Sequence, residues 1–168
     1  MKILGILNIT SDSFSDGGRY LEPGAALVHA QAMAQMGADI IDIGAASSHP
    51  DAQPVAPEVE IARLSAVVPE LKAKGLSLSI DSLSIEVQRW ALAQGVDYLN
   101  DIHGFPDAAL YPALAKAECK LIVMHMVQEK GVAVRTEVPS AEIWGRVTAF
   151  FDARLQALTD AGIARERL

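Results

Sequence analysis

The chain has 168 residues, of which 51% are hydrophobic and 21% charged, and a mean hydropathy of +0.22; a solvated tail or disordered segment is excluded by that balance. Fourteen Lys and Arg against twenty-one Asp and Glu leave a net charge of −7, which argues against a nucleic-acid partner. No apolar stretch approaches the ~20 residues of a membrane-spanning helix. The expected partner is therefore a small molecule, with neither nucleic acid nor membrane involved, and the expected location is cytoplasmic.

In chain order, Ile3 to Leu7 reads as an opening strand that stops at Asn8. Beyond it, one pattern recurs: an amphipathic stretch, a glycine, then a short apolar run ending in a polar side chain. Gln35-Met-Gly37 leads into Ala38-Asp-Ile-Ile-Asp-Ile-Gly44, Ala73-Lys-Gly75 into Leu76-Ser-Leu-Ser-Ile-Asp81, and Ala93-Gln-Gly95 into Val96-Asp-Tyr-Leu-Asn-Asp101. In the last unit Ala117-Glu-Cys119 stands where the glycine would be, before Lys120-Leu-Ile-Val-Met-His125. The physical sense is a helix closed by a left-handed glycine, followed by a strand covered on both faces. Helical spacing is clear at Ile61, Leu64, Val68 and Leu71, at Leu110, Leu114 and Ala117, and at Ile143, Val147, Phe151, Leu155 and Leu158. Pro69 should kink the first of these. Cys119 is read as a core thiol, and Trp90 and Trp144 as core or helix-packing residues.

Alternating strands and helices imply a parallel sheet with right-handed crossovers. Both a doubly wound sheet and a (β/α) barrel fit. No G-x-G-x-x-G follows the first strand, whereas every strand presents a polar group near its C-terminal end: Asn8, Asp42, Asp81, Asn100 with Asp101, and His125. Such a ring favours an α/β fold of parallel TIM-barrel type. An eight-unit barrel takes ~250 residues, so residues 1–168 are expected to be the N-terminal five of eight βα units of a truncated barrel domain. An open barrel edge favours pairing with another chain, a homodimer included.

The loop Asn8-Ile-Thr-Ser-Asp-Ser-Phe-Ser-Asp-Gly-Gly18 is the most unusual stretch. On its residues alone it is either a surface loop of Asx turns and helix caps or a ligand-binding lid. Asn8 can ligate Mg²⁺ through its amide oxygen or merely satisfy backbone groups. Asp81 can hold a ligand or cap the following helix, and Asn100 can do the same or brace its loop.

The run Gly5-Ile-Leu-Asn-Ile-Thr-Ser-Asp-Ser-Phe-Ser-Asp-Gly-Gly18, with Asp42-Ile-Gly44, Ser79-Ile-Asp-Ser82, Leu99-Asn-Asp-Ile102 and Met124-His-Met126 in order, resembles the dihydropteroate synthase family over essentially the whole chain. The resemblance implies condensation of a dihydropterin pyrophosphate with p-aminobenzoate, giving dihydropteroate and pyrophosphate in folate synthesis. It implies Asn8, Asp81 and Asn100 as the catalytic set, with Asn8 the ligand of a Mg²⁺ bridging the pyrophosphate and the other two hydrogen-bonding the pterin. Phe14, Ser48 and Pro50 match positions bordering the aminobenzoate; Asp12, Ser15 and Asp16 would shape a lid. His125 and Met126 fall near the pterin, although a strand-end histidine is more often a satisfied buried group. The second loop, Gly44-Ala-Ala-Ser-Ser-His-Pro50, departs from the family's acid-Ser-Thr-Arg-Pro, and His49 is a weaker, pH-dependent cation for pyrophosphate. This version is similar to the divergent, sulfonamide-insensitive synthases. The family's later pterin- and phosphate-holding residues would lie beyond Leu168. The alternatives are a non-catalytic pterin-binding half barrel and a methyltetrahydrofolate-type methyltransferase.

Overall fold

A computed structural model describes residues 1–10, 22–47, 53–126 and 137–168. Five strands, β1 (Leu4–Asn8), β2 (Ile40–Gly44), β3 (Leu78–Asp81), β4 (Tyr98–Asp101) and β5 (Lys120–Val123), alternate with helices α1 (Pro23–Gln35), α2 (Pro57–Ser65), α3 (Val68–Ala73), α4 (Ile85–Ala93), α5 (Tyr111–Lys116) and α6 (Ser140–Asp160). All neighbouring strands pair in parallel, in the spatial order β1-β2-β3-β4-β5. That order separates the two folds the sequence allows. A doubly wound sheet reverses direction and buries its first strand in the middle, whereas each step here moves one place the same way. Same-handed crossovers moving in one direction keep every helix on one face, so the sheet is an arc of a barrel wall.

Register assigns each strand residue to a face. Leu4, Ile6 and Asn8 pair with Ile40, Asp42 and Gly44; Asp42 and Gly44 pair with Ser79 and Asp81; and these pair with Tyr98 and Asn100, then Lys120 and Ile122. This set is the inner face. The intervening residues face the helices: a Cβ built on Gly5 would lie 3.0 Å from Met33 Sδ and 3.1 Å from Ala38 Cβ. Leu7, Ile41, Ile43, Leu78, Ile80, Leu99 and Leu121 form the core there with Ala26, Ala30, Leu64, Val68, Leu71, Val87, Ala91, Leu114 and Leu158. The inner face is less covered, with Ile6 62% exposed.

The glycine pattern holds where a glycine is present: Gly37, Gly75, Gly95 and Gly162 all take positive φ just past a helix, the left-handed turn only glycine adopts cheaply. Where Ala117-Glu-Cys119 stands in its place, α5 ends in extended backbone, with Ala117 at φ −82, ψ 163. Pro69 does more than kink its helix. The chain breaks into α2 and α3, with Pro69 in the first turn of α3, where its missing N–H costs nothing. Strands β2, β3 and β4 begin two residues later than their apolar runs, and β5 stops at Val123, short of His125. Cys119 is buried, and burial pushes its thiol pKa up. Trp90 packs against the core, but Trp144 is 79% exposed, in the largely exposed N-terminal half of α6. No described helix is long and apolar enough to cross a membrane.

Candidate active site

The last inward residues of the first four strands are Asn8, Gly44, Asp81 and Asn100, and they lie at one level by register. Thus the three residues the sequence assigns to catalysis share one rim and one face. Gly44 keeps the rim open between them: a Cβ there would stand 3.1 Å from Asn8 Oδ1 and 4.0 Å from Asp81 Oδ2. One level deeper, Asp42 accepts a hydrogen bond of 3.1 Å from Asn100 Nδ2. Asp42 Oδ1, Ser79 Oγ and Asn100 Oδ1 are sealed from solvent without a hydrogen-bond partner. Unpaired buried acceptors cost free energy until a donor arrives, so the inner face is suited to a ligand edge rich in N–H groups.

Asp81 has its carboxyl pushed up to about 7, first by burial and then by the negative charges of Asp42, Asp101 and Glu60. Near neutrality it can present either an O–H donor or a carboxylate acceptor.

Behind the rim, the residue after each inward one points outward and is tied down. Ser82 Oγ donates to Glu60 Oε2 of α2 at 2.9 Å and accepts the Ser84 N–H at 3.1 Å. Burial raises the Glu60 pKa, against the opposing pull of Ser82 and Arg63. Gln88 of α4 donates through Nε2 to Ser82 O at 2.8 Å and to Asp101 Oδ2 at 2.9 Å, so one side chain fastens the ends of β3 and β4 together. Asp101 in turn accepts the His103 N–H at 2.8 Å and the Phe105 N–H at 3.2 Å. Phe105 holds φ +60, a conformation costly for a side chain with a Cβ. Its carbonyl is secured by Arg154 Nη1 at 3.1 Å and the Tyr111 hydroxyl at 3.1 Å. At the end of β2, Arg63 Nη1 donates to Ala45 O at 2.7 Å. Asp81 does not cap the next helix; Ser84 does.

His125 lies past β5, with its ring 4.9 Å from that of Phe150 and 6.4 Å from Phe151. The structure packs it against the Phe150 and Phe151 rings of α6. Met126 follows it beyond the strand, half-buried. Phe14, Ser48, His49 and Pro50, with Asp12, Ser15 and Asp16, lie outside the described residues. The sequence reading missed Gln88 and Glu60, whose role depends on neighbours in space. It noted Asp42 as a polar strand residue but did not place it in the site; the period-two alternation with Gly44 was the available signal.

A family model described as pterin binding enzyme matches residues 4–168. A dihydropteroate synthase type-2 of Escherichia coli is 58% identical over 166 residues, 99% of this chain and 61% of that protein. Two solved structures align over 99% of the chain at TM-score 0.84. One is a Burkholderia cenocepacia dihydropteroate synthase complexed with 7,8-dihydropteroate, 36% identical and covered over 56% of its length. The other is a Xanthomonas albilineans dihydropteroate synthase with 4-aminobenzoic acid, 34% identical and covered over 59%. The chain thus spans less than two thirds of each of these relatives. With a match from the first strand to the last residue, the chain belongs to the family of pterin binding enzymes.

Proposed function

We propose that this chain supplies the pterin-binding part of a dihydropteroate synthase, which joins a dihydropterin pyrophosphate to p-aminobenzoate and releases pyrophosphate in folate synthesis, in the cytoplasm. The carrying observation is the convergence of Asn8, Asp81 and Asn100 on one rim above buried, unpaired acceptors. A reduced pterin offers N–H donors beside ring acceptors, which an amide and a carboxyl group can read together where water is excluded. The bound 7,8-dihydropteroate and 4-aminobenzoic acid of the two solved relatives support the same pair of substrates.

The reaction we infer breaks the bond between the pterin's exocyclic carbon and the pyrophosphate oxygen, which leaves with the electron pair. The arylamine nitrogen then bonds to that carbon and gives up a proton. Asp81 and Asn100 hold and orient the ring, and the outward clasp by Gln88 and Glu60 keeps both at fixed height. Such chemistry rests on electrostatics and positioning, in keeping with the absence of a Ser-His-Asp arrangement among the described residues of the rim.

No three His, Cys, Asp or Glu gather to cage a metal among the described residues. Asn8 Oδ1 at the open rim fits Mg²⁺, which is commonly held by few protein ligands, substrate phosphates and water. Bound there, Mg²⁺ would neutralise charge on the departing pyrophosphate. Strand-end positions 8–10, 44–47, 81–84, 100–107 and 123–126 contain no Lys or Arg. On this reading the 168 residues alone bind the pterin without turning it over. Phe14, Ser48 and Pro50 would border the aminobenzoate and His49 would face the pyrophosphate as a weaker cation than arginine; the departure of the second loop from the family pattern at Ala46, Ser48 and His49 underlies a sulfonamide-insensitive assignment.

Calorimetric titration of the chain with dihydropterin pyrophosphate, with and without Mg²⁺, tests the reading. Asp81→Ala and Asn100→Ala should each weaken binding at least about tenfold, while Asn8→Ala should remove the Mg²⁺ dependence and spare pterin affinity. Binding indifferent to Asp81 and Asn100 would overturn it.

A further inference from the structure

Asp42 and Asn100 are not register partners. Asp42 stands beside Ser79, and Asn100 one level higher beside Asp81, on the far side of β3. Ser79 is fully buried and small, so the Asp42 carboxylate can reach across β3 to Asn100 Nδ2 at 3.1 Å.

This contact decides what Asn100 offers a ligand. A primary amide can face a ring with its donor or with its acceptor. Oδ1 turned toward the Asp42 carboxylate would set acceptor against acceptor, so the bond takes a proton of Nδ2 and turns Oδ1 away. Oδ1 is unpartnered and Asn100 is only 7% exposed, a setting in which reversing the amide carries the full cost of unmet hydrogen bonds. We infer that Asp42 is a positioning residue that fixes Asn100 as an acceptor through Oδ1. The site then takes a heterocycle presenting an N–H on that edge and rejects one presenting a lone pair there. The inference rests on the pterin reading for the ligand's identity, but the orientation of the amide stands independently of it.

Reversing the pair tests this. In Asp42→Asn the new amide can donate to Asn100 Oδ1, and affinity for 6-hydroxymethyl-7,8-dihydropterin should fall about tenfold. Asn100→Asp sets two carboxylates together and should fall further. The double variant, Asp42→Asn with Asn100→Asp, turns the hydrogen bond around yet keeps an oxygen toward the ligand, and should return to within about threefold of the parent. A double variant no better than Asn100→Asp would overturn the inference, as would an unchanged affinity in Asp42→Asn. Nuclear magnetic resonance of the ligand-free chain supplies the separate arm. One Asn100 side-chain amide proton should exchange slowly in the parent and rapidly in Asp42→Ala; equal exchange would overturn the positioning role whatever binds. A parent chain that binds no pterin but keeps the slow proton would remove the pterin reading and leave the amide orientation supported.

Discussion

Replacing Asp81 by Asn turns the buried carboxyl into a direct measurement of the rim's electrostatics. In the folded chain the group is raised from 3.8 to about 7, chiefly by burial and then by Asp42, Asp101 and Glu60. Because the folded state binds the proton more tightly than the unfolded state, below pH 3.8 both states are protonated and Asp81 imposes no penalty. Between about pH 4 and 7 the unfolded chain ionises first, so stability falls as pH rises; above about 7 the penalty is complete. The interval corresponds to about 4 kcal/mol at 1.36 kcal/mol per tenfold change in proton affinity. Asn is uncharged throughout. In urea unfolding series, Asp81→Asn should match the parent near pH 3.5 and exceed it by about 3–4 kcal/mol at pH 8, with the difference growing through that window. A difference that stays constant with pH would refute the assignment, as would a carboxyl carbon resonance of Asp81 titrating near 4.

Two further substitutions probe the frame. Gln88→Met keeps the volume but strips the donors from Ser82 O and Asp101 Oδ2; it should cost about 2–4 kcal/mol in urea unfolding at pH 7, and a loss below about 1 kcal/mol would show that the clasp is dispensable. Gly104→Ala places a methyl 3.0 Å from Phe150 Cζ and Val123 Cγ1 at φ +68, so backbone strain and overpacking together should cost about 2–4 kcal/mol. An unchanged melting temperature would refute that packing.

The fold was legible because its signals are local. Each helix-glycine-strand unit carries its own stop and start, and Gly37, Gly75 and Gly95 adopt the predicted left-handed turn. The ring of polar strand ends favoured a barrel, and the sequential strand order bears that out. Strand lengths were less legible, since Ala38-Asp39, Leu76-Ser77 and Val96-Asp97 look like strand by hydropathy yet serve as the exit from the glycine turn. Trp144 misled for a related reason: helical spacing reports which residues share a face, not whether anything packs on it.

Within the site, what the sequence concealed was the distinction between the two sides of each strand end. Asn100-Asp101 and Asp81-Ser82 read as undifferentiated polar pairs, but a strand alternates, and one member of each pair faces the barrel while the other faces the helices. Inward, Asn100 Oδ1 is buried without a hydrogen-bond partner; outward, Ser82 and Asp101 are engaged by Glu60, Gln88 and loop N–H groups. A ligand-binding group that must stay unpaired is destabilising and free to move unless something else holds its backbone. The outward partner supplies that hold from the adjacent residue, where the lever arm is shortest.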